Sequence, residues 1–361
     1  MNQVRLTGTV RIVGAGLIGT SIGLALTKAG LDVVIEDASP ANVRLAIDYG
    51  AGRQPKSDDS PSVIVVCVPP DVTASVVSSE LARFETSIVT DVASIKGQVL
   101  EELNQSGADV SRYVGSHPMA GRERGGALSG RADLFYSRPW VISAHSNSKS
   151  AAVAAVEMLA LDLGATPIRV DPFEHDRAVA LVSHVPQIVS SLLAARLIDA
   201  DASDVSLAGQ GLRDTTRIAA SDPKLWIQIL GANSNEVAKV LAALSKDLTQ
   251  VIAALENVDA TGSLATIGDA LSRGNRGVEQ IPGKHGSRNK HYEQVIVMID
   301  DQPGQLAKLL TEIGEIGINL EDLSLEHSPG AQIGLVELSV LPNVQATLID
   351  ALTQRGWRIA G

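Results

Sequence analysis

Short apolar runs alternate with amphipathic stretches over the first 172 residues. The runs predict six buried strands, at residues 10–13, 32–35, 63–68, 87–90, 113–115 and 140–142. Helical patterns lie between them, and strands that alternate with helices are typical of a parallel, doubly wound sheet. We therefore expect an α/β domain over residues 1–172.

The pattern changes at about residue 173, where the strand signals stop. Residues 173–198 predict one long helix, which Pro186 should kink because proline lacks a backbone N–H. Arg177 and His184 are seven residues apart and should share a face of this helix. Helical periodicity continues beyond it, at residues 207–219, 224–256 and about 264–273. These patterns predict an all-helical second domain over residues 173–273.

The remaining sequence predicts a linker and a third domain. Residues 274–290 are Gly-rich and basic without periodicity, which is typical of a linker. Residues 291–361 follow with the pattern strand, helix, strand, strand, helix, strand. This βαββαβ order in so short a segment predicts a ferredoxin-like module.

Composition restricts the partners of the chain. A length of 361 residues suits two or three domains, and the net charge of −11 argues against nucleic acid or an anionic membrane as a partner. The single cysteine, Cys67, excludes an intrachain disulfide and fits a reducing compartment. We find no signal-peptide pattern and no run long and apolar enough to span a bilayer, so we expect a cytoplasmic protein.

A glycine motif follows the first predicted strand and begins a helix. Gly14 would permit a tight turn, Gly16 the approach of a pyrophosphate, and Gly19 close helix packing. The N–H groups of the helix N-terminus would then bind the phosphates. We expect further contacts to this cofactor at the start of the helix and at the ends of later strands, from Leu17, Ile18, Val68, Pro69 and Asp91.

An acidic residue ends the second predicted strand, about 20 residues beyond the glycines. The carboxylate of Asp37 could bind a ribose 2′-hydroxyl and would repel a 2′-phosphate, which favours NAD over NADP. Glu36 is the alternative, and the register of the strand decides between them.

Two candidate catalytic residues follow later strands, where the ligand crevice of an open parallel sheet lies. Ser94 could orient a catalytic side chain, and Lys96 could bind an anion. His117 precedes Pro118, which excludes it from the middle of a helix, so we expect it in a loop facing the crevice. The alternatives are a helix cap with a solvated lysine and a structural histidine.

The helical domain carries candidate substrate ligands. His184 lies beside the expected kink and could line a pocket, or it could cap a carbonyl that the kink frees. Arg213 and Arg217 are four residues apart, and guanidinium groups bind carboxylates bidentately. Surface ion pairs with Asp214 or Asp222 are the alternative.

Several stretches together resemble the prephenate/arogenate dehydrogenase family over residues 10 to about 260. They are GAGLIGTSIG, CVPP, TDVASIKG, SHPMAG, HDRAVALVSHVP and GLRDTTRIAASDP. The resemblance implies that His117 is catalytic with support from Ser94, and that His184 and Arg217 belong to the substrate site. Arg122 follows SHPMAG at a position that varies in the family, so it receives no role.

The resemblance implies a Rossmann-type domain, no metal, a homodimer, and NAD-dependent oxidative decarboxylation in tyrosine biosynthesis. The product would be 4-hydroxyphenylpyruvate from prephenate or, alternatively, tyrosine from arogenate. A β-hydroxyacid dehydrogenase or imine reductase shares the two-domain plan, but those families use a lysine or aspartate of the helical domain. A non-enzymatic amino-acid sensor with a nucleotide fold is the second rival.

The C-terminal segment resembles an ACT domain in residues 300–306 and 317–320. Such domains pair in dimers and often bind amino acids at their interface. We therefore expect a tyrosine effector near Asp301, Gly304 and Asn319. The alternative is a module that only dimerises the chain.

Overall fold

The computed structural model describes residues 4–120, 126–282, 292–327 and 333–360. The chain divides into two compact units. The first contains Met1–Ala200 with Thr215–Ala243, and the second contains Asp201–Asp214 with Leu244–Gly361. Arg122 lies outside the described residues.

The first unit begins with alternating strands and helices, as expected. The strands are β1 (Thr9–Val13), β2 (Val33–Glu36), β3 (Pro61–Val66), β4 (Ile88–Asp91), β5 (Gly115–Pro118), β6 (Pro139–Ser143) and β7 (Thr166–Arg169). The helices are α1 (Leu17–Lys28), α2 (Pro40–Asp48), α3 (Pro70–Arg83), α4 (Gly97–Gln105) and α5 (Ser150–Asp162). The first four strands form a parallel sheet in the order β2-β1-β3-β4.

This parallel sheet is buried on both faces. Along β3, Val63 and Val65 belong to one hydrophobic cluster, whereas Ile64 and Val66 belong to another. Side chains of a strand alternate between the two faces of a sheet, so both faces require apolar residues. Burial of β3 on both faces explains the uninterrupted apolar run that predicted this strand.

The second sheet corrects two expectations. Its order is β5-β6-β7, and β5 runs antiparallel to β6, so the strands are not all parallel. The strand predicted at residues 113–115 lies instead at Gly115–Pro118, which places His117 within a strand rather than a loop. Strand β7 was not predicted, because its short sequence TPIR is mostly exposed and lacks an apolar run.

The predicted long helix is divided by a π-helical turn. Helix α6 (Pro172–Val179) leads into the π-turn Ala180–His184 and then into α7 (Val185–Ala195). Pro186 cannot donate a backbone hydrogen bond, and a wider π-turn accommodates that defect. The wider turn also shifts the helical register, so Arg177 is exposed while His184 is buried, and the predicted shared face is wrong.

The other helices of the helical region have different bounds from those predicted. They are α8 (Ala202–Val205), α9 (Gln210–Thr216), α10 (Pro223–Ala232), α11 (Ser234–Glu256) and α12 (Ser263–Val278), with a 3₁₀ turn at Arg217–Ala219. The single helix predicted at residues 224–256 is interrupted at Asn233, whose side chain is buried and makes tertiary hydrogen bonds. Helix α12 continues to Val278, so the predicted linker at 274–290 starts too early.

The C-terminal segment has the expected element order. It contains β8 (Glu293–Asp300), α13 (Gln305–Ile316), β9 (Asp322–His327), β10 (Ile333–Val340), α14 (Gln345–Gln354) and β11 (Arg358–Ala360). The strands form an antiparallel sheet in the order β11-β8-β10-β9. The two helices pack with this sheet around buried aliphatic residues such as Val297, Leu309, Val336 and Leu348.

One expectation about membranes was wrong. The run Pro172–Ala195, which comprises α6, the π-turn and α7, is long and apolar enough to cross a bilayer by length and composition alone. It also contains the buried polar residues His175, Asp176 and His184. Length and composition alone do not distinguish the core helix of a folded protein from a membrane span. This run is therefore weak evidence for a membrane span.

Candidate active site

The turn between β1 and α1 has the geometry of a phosphate-binding loop. Gly14 has a φ of +112°, and a Cβ atom there would lie 2.3 Å from the carbonyl oxygen of Cys67. A Cβ on Gly19 would lie 1.9 Å from the carbonyl oxygen of Gly14, whereas one on Gly16 would meet nothing within 4 Å. The residues present therefore fit a dinucleotide, with a tight turn, open space at Gly16 and a helix N-terminus that favours phosphate.

Four neighbouring positions retain accessible surface for a cofactor. Leu17 and Ile18, in the first turn of α1, are half-buried. Val68 is half-buried as well, and Pro69 is exposed immediately before α3. Their role in binding stays a prediction.

Asp91 does not fit its predicted role as a cofactor ligand. Its side chain is fully buried at the end of β4. One carboxylate oxygen accepts from the Lys96 ammonium and from the N–H of Ala93, and the other accepts from the Tyr113 hydroxyl at 2.7 Å. Lys96 is itself buried, so it does not offer a free charge to an anion either. This ion pair organises the end of β4 from inside the protein.

The register of β2 separates Asp37 from Glu36. Glu36 accepts a hydrogen bond from the buried guanidinium of Arg11. Asp37 instead accepts from the N–H of Ala15, in the glycine turn, at 2.7 Å, and from the N–H of Ser39 at 2.7 Å. Asp37 is therefore the acidic residue beside the glycine turn, which favours it as the ribose ligand.

His117 belongs to a chain of three polar residues from two parts of the first unit. Its Nδ1 lies 2.9 Å from Nε2 of His175, and the rings meet edge to face with centroids 5.1 Å apart. Nδ1 of His175 lies 2.8 Å from Oδ1 of Asp176. His117 comes from β5, whereas its two partners come from α6 and are 2% and 7% exposed. Helix α6 thus supports the candidate catalytic residue.

Asp176 also anchors the loop that follows β4. Its carboxylate accepts from the N–H groups of Lys96 and Gly97, each at 2.7 Å, and so caps the N-terminus of α4. A Cβ on Gly97 would lie 2.8 Å from Cδ1 of Phe173 and 2.9 Å from Oδ2 of Asp176. Glycine at this position therefore permits α6 to approach α4 closely.

Contacts with Asn233 and Trp226 hold His184 in place, and Asn233 also binds the backbone of Asp176. The amide of Asn233 donates to the backbone oxygen of Asp176 at 2.8 Å and lies 3.1 Å from Nδ1 of His184. The ring of His184 meets that of Trp226 edge to face, with centroids 6.1 Å apart. Because these contacts bury His184 to 1% exposure, its predicted direct contact with substrate requires local movement.

Burial sets the protonation of both histidines. The pKa of His117 is held well below its usual value of 6.5 by desolvation, and a positive charge on His175, Lys96 or His184, when one is present, lowers it further. Burial also lowers the pKa of His184 to about 4, although the Asp176 carboxylate opposes this shift. His117 is therefore neutral near pH 7, the state in which it can accept a proton.

Ser94, Arg213 and Arg217 take no part in the hydrogen bonds that join His117, His175 and Asp176. Ser94 is half-buried, and among the described residues it is His175 rather than Ser94 that hydrogen-bonds His117. Arg213 and Arg217 are exposed and make no ion pair within the described parts of the chain. The expected alternative partners are engaged elsewhere, since Asp214 accepts from Gln210 and Asp222 caps α10.

Sequence reasoning missed the partners of His117. His175 and Asp176 lie in the stretch HDRAVALVSHVP, which contributed to the family resemblance, but only Arg177 and His184 were singled out there. Asn233 was hidden inside an apparently continuous helix. The adjacent His-Asp pair just after Pro172, at a helix start, was the available signal.

Models of one protein family match two segments of the chain. Residues 22–169 match the nucleotide-binding domain of prephenate dehydrogenase, and residues 171–267 match its dimerization domain. The chain belongs to the prephenate dehydrogenase family. It is 35% identical to the probable prephenate dehydrogenase NovF of Streptomyces niveus, over 97% of this chain and 98% of that protein. It is also 25% identical to the prephenate dehydrogenase of Bacillus subtilis, over 94% and 93% of the two chains.

Solved structures share the fold of the family. One is the prephenate dehydrogenase of Aquifex aeolicus in complex with hydroxyphenyl propionate and NAD⁺, with a TM-score of 0.65, 24% identity and coverage of 75% of this chain and 98% of that one. Another is the Synechocystis arogenate dehydrogenase, with a TM-score of 0.61, 24% identity and coverage of 74% and 99%.

Membership of the family confirms the predicted class of enzyme. This protein is an oxidoreductase with a nucleotide-binding domain, and NAD is its cofactor. The two rivals, a β-hydroxyacid dehydrogenase or imine reductase and a non-enzymatic sensor, are set aside by this assignment. The roles of individual residues stay predictions.

Proposed function

We propose that this enzyme converts prephenate and NAD⁺ into 4-hydroxyphenylpyruvate, CO₂ and NADH, with arogenate dehydrogenase activity as the alternative. The observation that supports this most is the placement of His117. Its ring, on strand β5, is kept neutral by burial and is hydrogen-bonded to His175. A neutral imidazole at that position suits the oxidation of a hydroxyl group.

In the proposed reaction, His117 accepts one proton from the substrate and later gives it back to the product. NAD⁺, when bound, supplies the hydride acceptor for the carbon that carries the ring hydroxyl. His117 takes the proton of that hydroxyl as the carbonyl forms. The ring carboxylate then leaves as CO₂, the ring becomes aromatic, and its oxygen recovers the proton from His117. The low pKa of His117 favours this return, because its protonated form gives up the proton readily.

The other site residues keep their predicted roles in this proposal. Arg217, assisted by Arg213, binds a substrate carboxylate, which the exposed guanidinium groups leave possible. Ser94 lies in the loop between β4 and α4 and orients the reacting groups. His184 shapes the substrate pocket from the π-turn.

Comparison of kcat/KM for prephenate and arogenate, each with NAD⁺ and NADP⁺, tests the proposed activity. We expect NADH formation with prephenate to be the most efficient combination. More efficient turnover of arogenate would establish the alternative. Absence of turnover with both substrates would contradict the proposed function.

Asp37 should determine the preference for NAD⁺. Replacing Asp37 with Ala removes a carboxylate beside the glycine turn, so we expect a higher KM for NAD⁺ and a smaller bias against NADP⁺. Steady-state kinetics with both cofactors measure this effect. The matched control is Glu36→Ala, whose carboxylate binds Arg11 instead. A change of cofactor preference in the control alone would reverse the assignment.

We further propose a cytoplasmic homodimer with a nucleotide-binding domain over residues 1–172, a helical domain that extends from residue 173 to the end of α12, and a C-terminal domain over residues 291–361. The family match at residues 171–267 is a dimerization domain, which supports pairing through the helical region. Apolar side chains of this region are exposed in the single chain, which also supports a covering partner. Among them are Leu181, Val182, Leu192, Ile198, Leu225 and Ile227.

We also propose that residues 291–361 form an ACT domain that binds tyrosine. The element order and the antiparallel sheet support this assignment. Gly304, with a φ of +89°, precedes α13, so helix N–H groups could bind a carboxylate near Asp301. Asn319 is exposed just before β9 and could bind the polar end of the ligand.

Calorimetry on the full chain tests the tyrosine site. We expect tyrosine to bind at millimolar concentration or below and to inhibit turnover. Replacing Asn319 with Ala should weaken both effects, whereas Asn343→Ala, an exposed asparagine of the same segment, should not. A full-length enzyme without detectable binding would leave only the dimerising role.

A further inference from the structure

His117 has two ring nitrogens, and only the nitrogen without a hydrogen can take a proton from a substrate. Its Nδ1 lies 2.9 Å from Nε2 of His175, so one atom of this pair carries the hydrogen. We propose that His175 and Asp176 are positioning residues that fix the tautomer of His117, with Nδ1 protonated and Nε2 free to act as the base. The catalytic consequence rests on the proposed function, whereas the tautomer itself does not.

Asp176 fixes which groups donate and which accept in this set of hydrogen bonds. Its carboxylate accepts from two backbone N–H groups, of Lys96 and Gly97, at the N-terminus of α4, where negative charge is stabilised. A carboxylate can only accept, so Nδ1 of His175, 2.8 Å from Oδ1, must donate.

The donor and acceptor roles of His175 in turn fix those of His117. In the proposed arrangement His175 carries one hydrogen, on Nδ1, so its Nε2 has a lone pair and accepts. The donor is therefore Nδ1–H of His117, which leaves Nε2 of His117 without a hydrogen. In this arrangement the carboxylate of Asp176 determines the reactive nitrogen of His117, which lies 58 residues before His175 in the sequence.

The packing makes this arrangement rigid. His175 and Asp176 are 2% and 7% exposed, so little bulk water competes for their hydrogen bonds. Both come from α6, which Gly97 allows to approach α4, while Asn233 holds the backbone oxygen of Asp176. The helical region consequently supplies the element that sets the tautomer of a histidine in the nucleotide-binding region.

Two substitutions of His175 separate this role from a purely structural one. His175→Leu removes the acceptor for His117, and we expect kcat to fall by about 10²-fold, the lower end of the effect of a general base. His175→Gln offers a carbonyl oxygen to His117 and an N–H to Asp176, so we expect it to recover kcat to within roughly tenfold of the wild type. His145→Leu and His145→Gln, at a histidine outside this chain, are the matched controls and should leave kcat unchanged.

Nitrogen-15 NMR of histidine-labelled enzyme without ligands measures the tautomer directly. We expect His117 and His175 to be protonated at Nδ1 in the wild type, His117 to keep this state in His175→Gln, and to lose it in His175→Leu. The His117→Asn variant identifies the signal of His117.

The outcomes separate this proposal from the proposed function. A wild-type His117 protonated at Nε2, or a folded His175→Leu variant with unchanged kcat, would overturn the proposal. Equal losses in His175→Leu and His175→Gln would also overturn it, because the polarity of the side chain would then be irrelevant. A wild type that turns over neither prephenate nor arogenate contradicts the proposed function, while the NMR result still decides the tautomer.

Discussion

Replacing His117 with Asn is expected to lower kcat by about 10²–10⁴-fold, the usual contribution of a general base. Asparagine retains a polar group near Nε2 of His175, so the buried hydrogen bond can persist and the fold should remain intact. Binding of NAD⁺ should change little, because the glycine turn and Asp37 are separate residues. Stopped-flow or steady-state detection of NADH measures the loss.

The control for this substitution is His145→Asn, which changes a half-buried histidine that binds the backbone oxygen of Tyr113. It should retain the wild-type kcat. A His117→Asn enzyme with nearly normal kcat would show that another group accepts the proton.

The low pKa of His117 adds a pH signature. A base whose pKa is depressed stays unprotonated at lower pH, so kcat/KM should remain constant as pH falls through 6.5. The loss due to this residue should begin only well below that value. A pH profile over the range in which the protein stays folded measures it, and an acid limb centred at 6.5 or above would contradict the burial of the base.

Replacing Arg217 with Ala is expected to raise the KM for substrate by roughly 10-fold to 100-fold, since charge-assisted hydrogen bonds are worth about 1.5–3 kcal/mol. The KM for NAD⁺ should change far less. Arg217 is exposed and has no ion pair among the described residues, so its loss should not destabilise the fold. Initial-rate kinetics with each ligand varied in turn measure the two constants.

Arg196→Ala is the matched control, because Arg196 is exposed at the end of α7 and has no predicted role. Both KM values should stay unchanged in that variant. If Arg217→Ala raised the two KM values equally, the residue would be structural rather than a ligand of the substrate.

Much of the fold could be predicted because its signals are local. The apolar run of β3 indicates a strand buried on both faces, and the structure places its residues in two hydrophobic clusters. The glycine motif likewise encodes a turn that a side chain would prevent, as the contact between Gly14 and Cys67 demonstrates. The strand β7 was missed because its side chains are mostly exposed and give no periodic signal.

The candidate site was less predictable, because its contacts join distant parts of the chain. Sequence indicated His117 as a catalytic residue, but its partner His175 lies 58 residues away. Asp91 and Lys96 were expected to bind ligands, yet each satisfies the other inside the protein. A sequence pattern specifies which groups could ionise or bind, whereas packing decides which of them remain accessible.

The sequence by itself determined the nucleotide-binding region and the helical region, because hydrophobic periodicity and backbone sterics act over a few residues. Its motifs also carried the resemblance to the family. Only the tertiary structure decided which acid lies beside the glycine turn, where the π-turn places His184, and what fixes the ring of His117. The contacts that fix the ring of His117 depend on the close approach of α6 to α4, which Gly97 permits. The physical reason is that burial and hydrogen bonding act through space, so the chemistry of His117 depends on neighbours that no local pattern specifies.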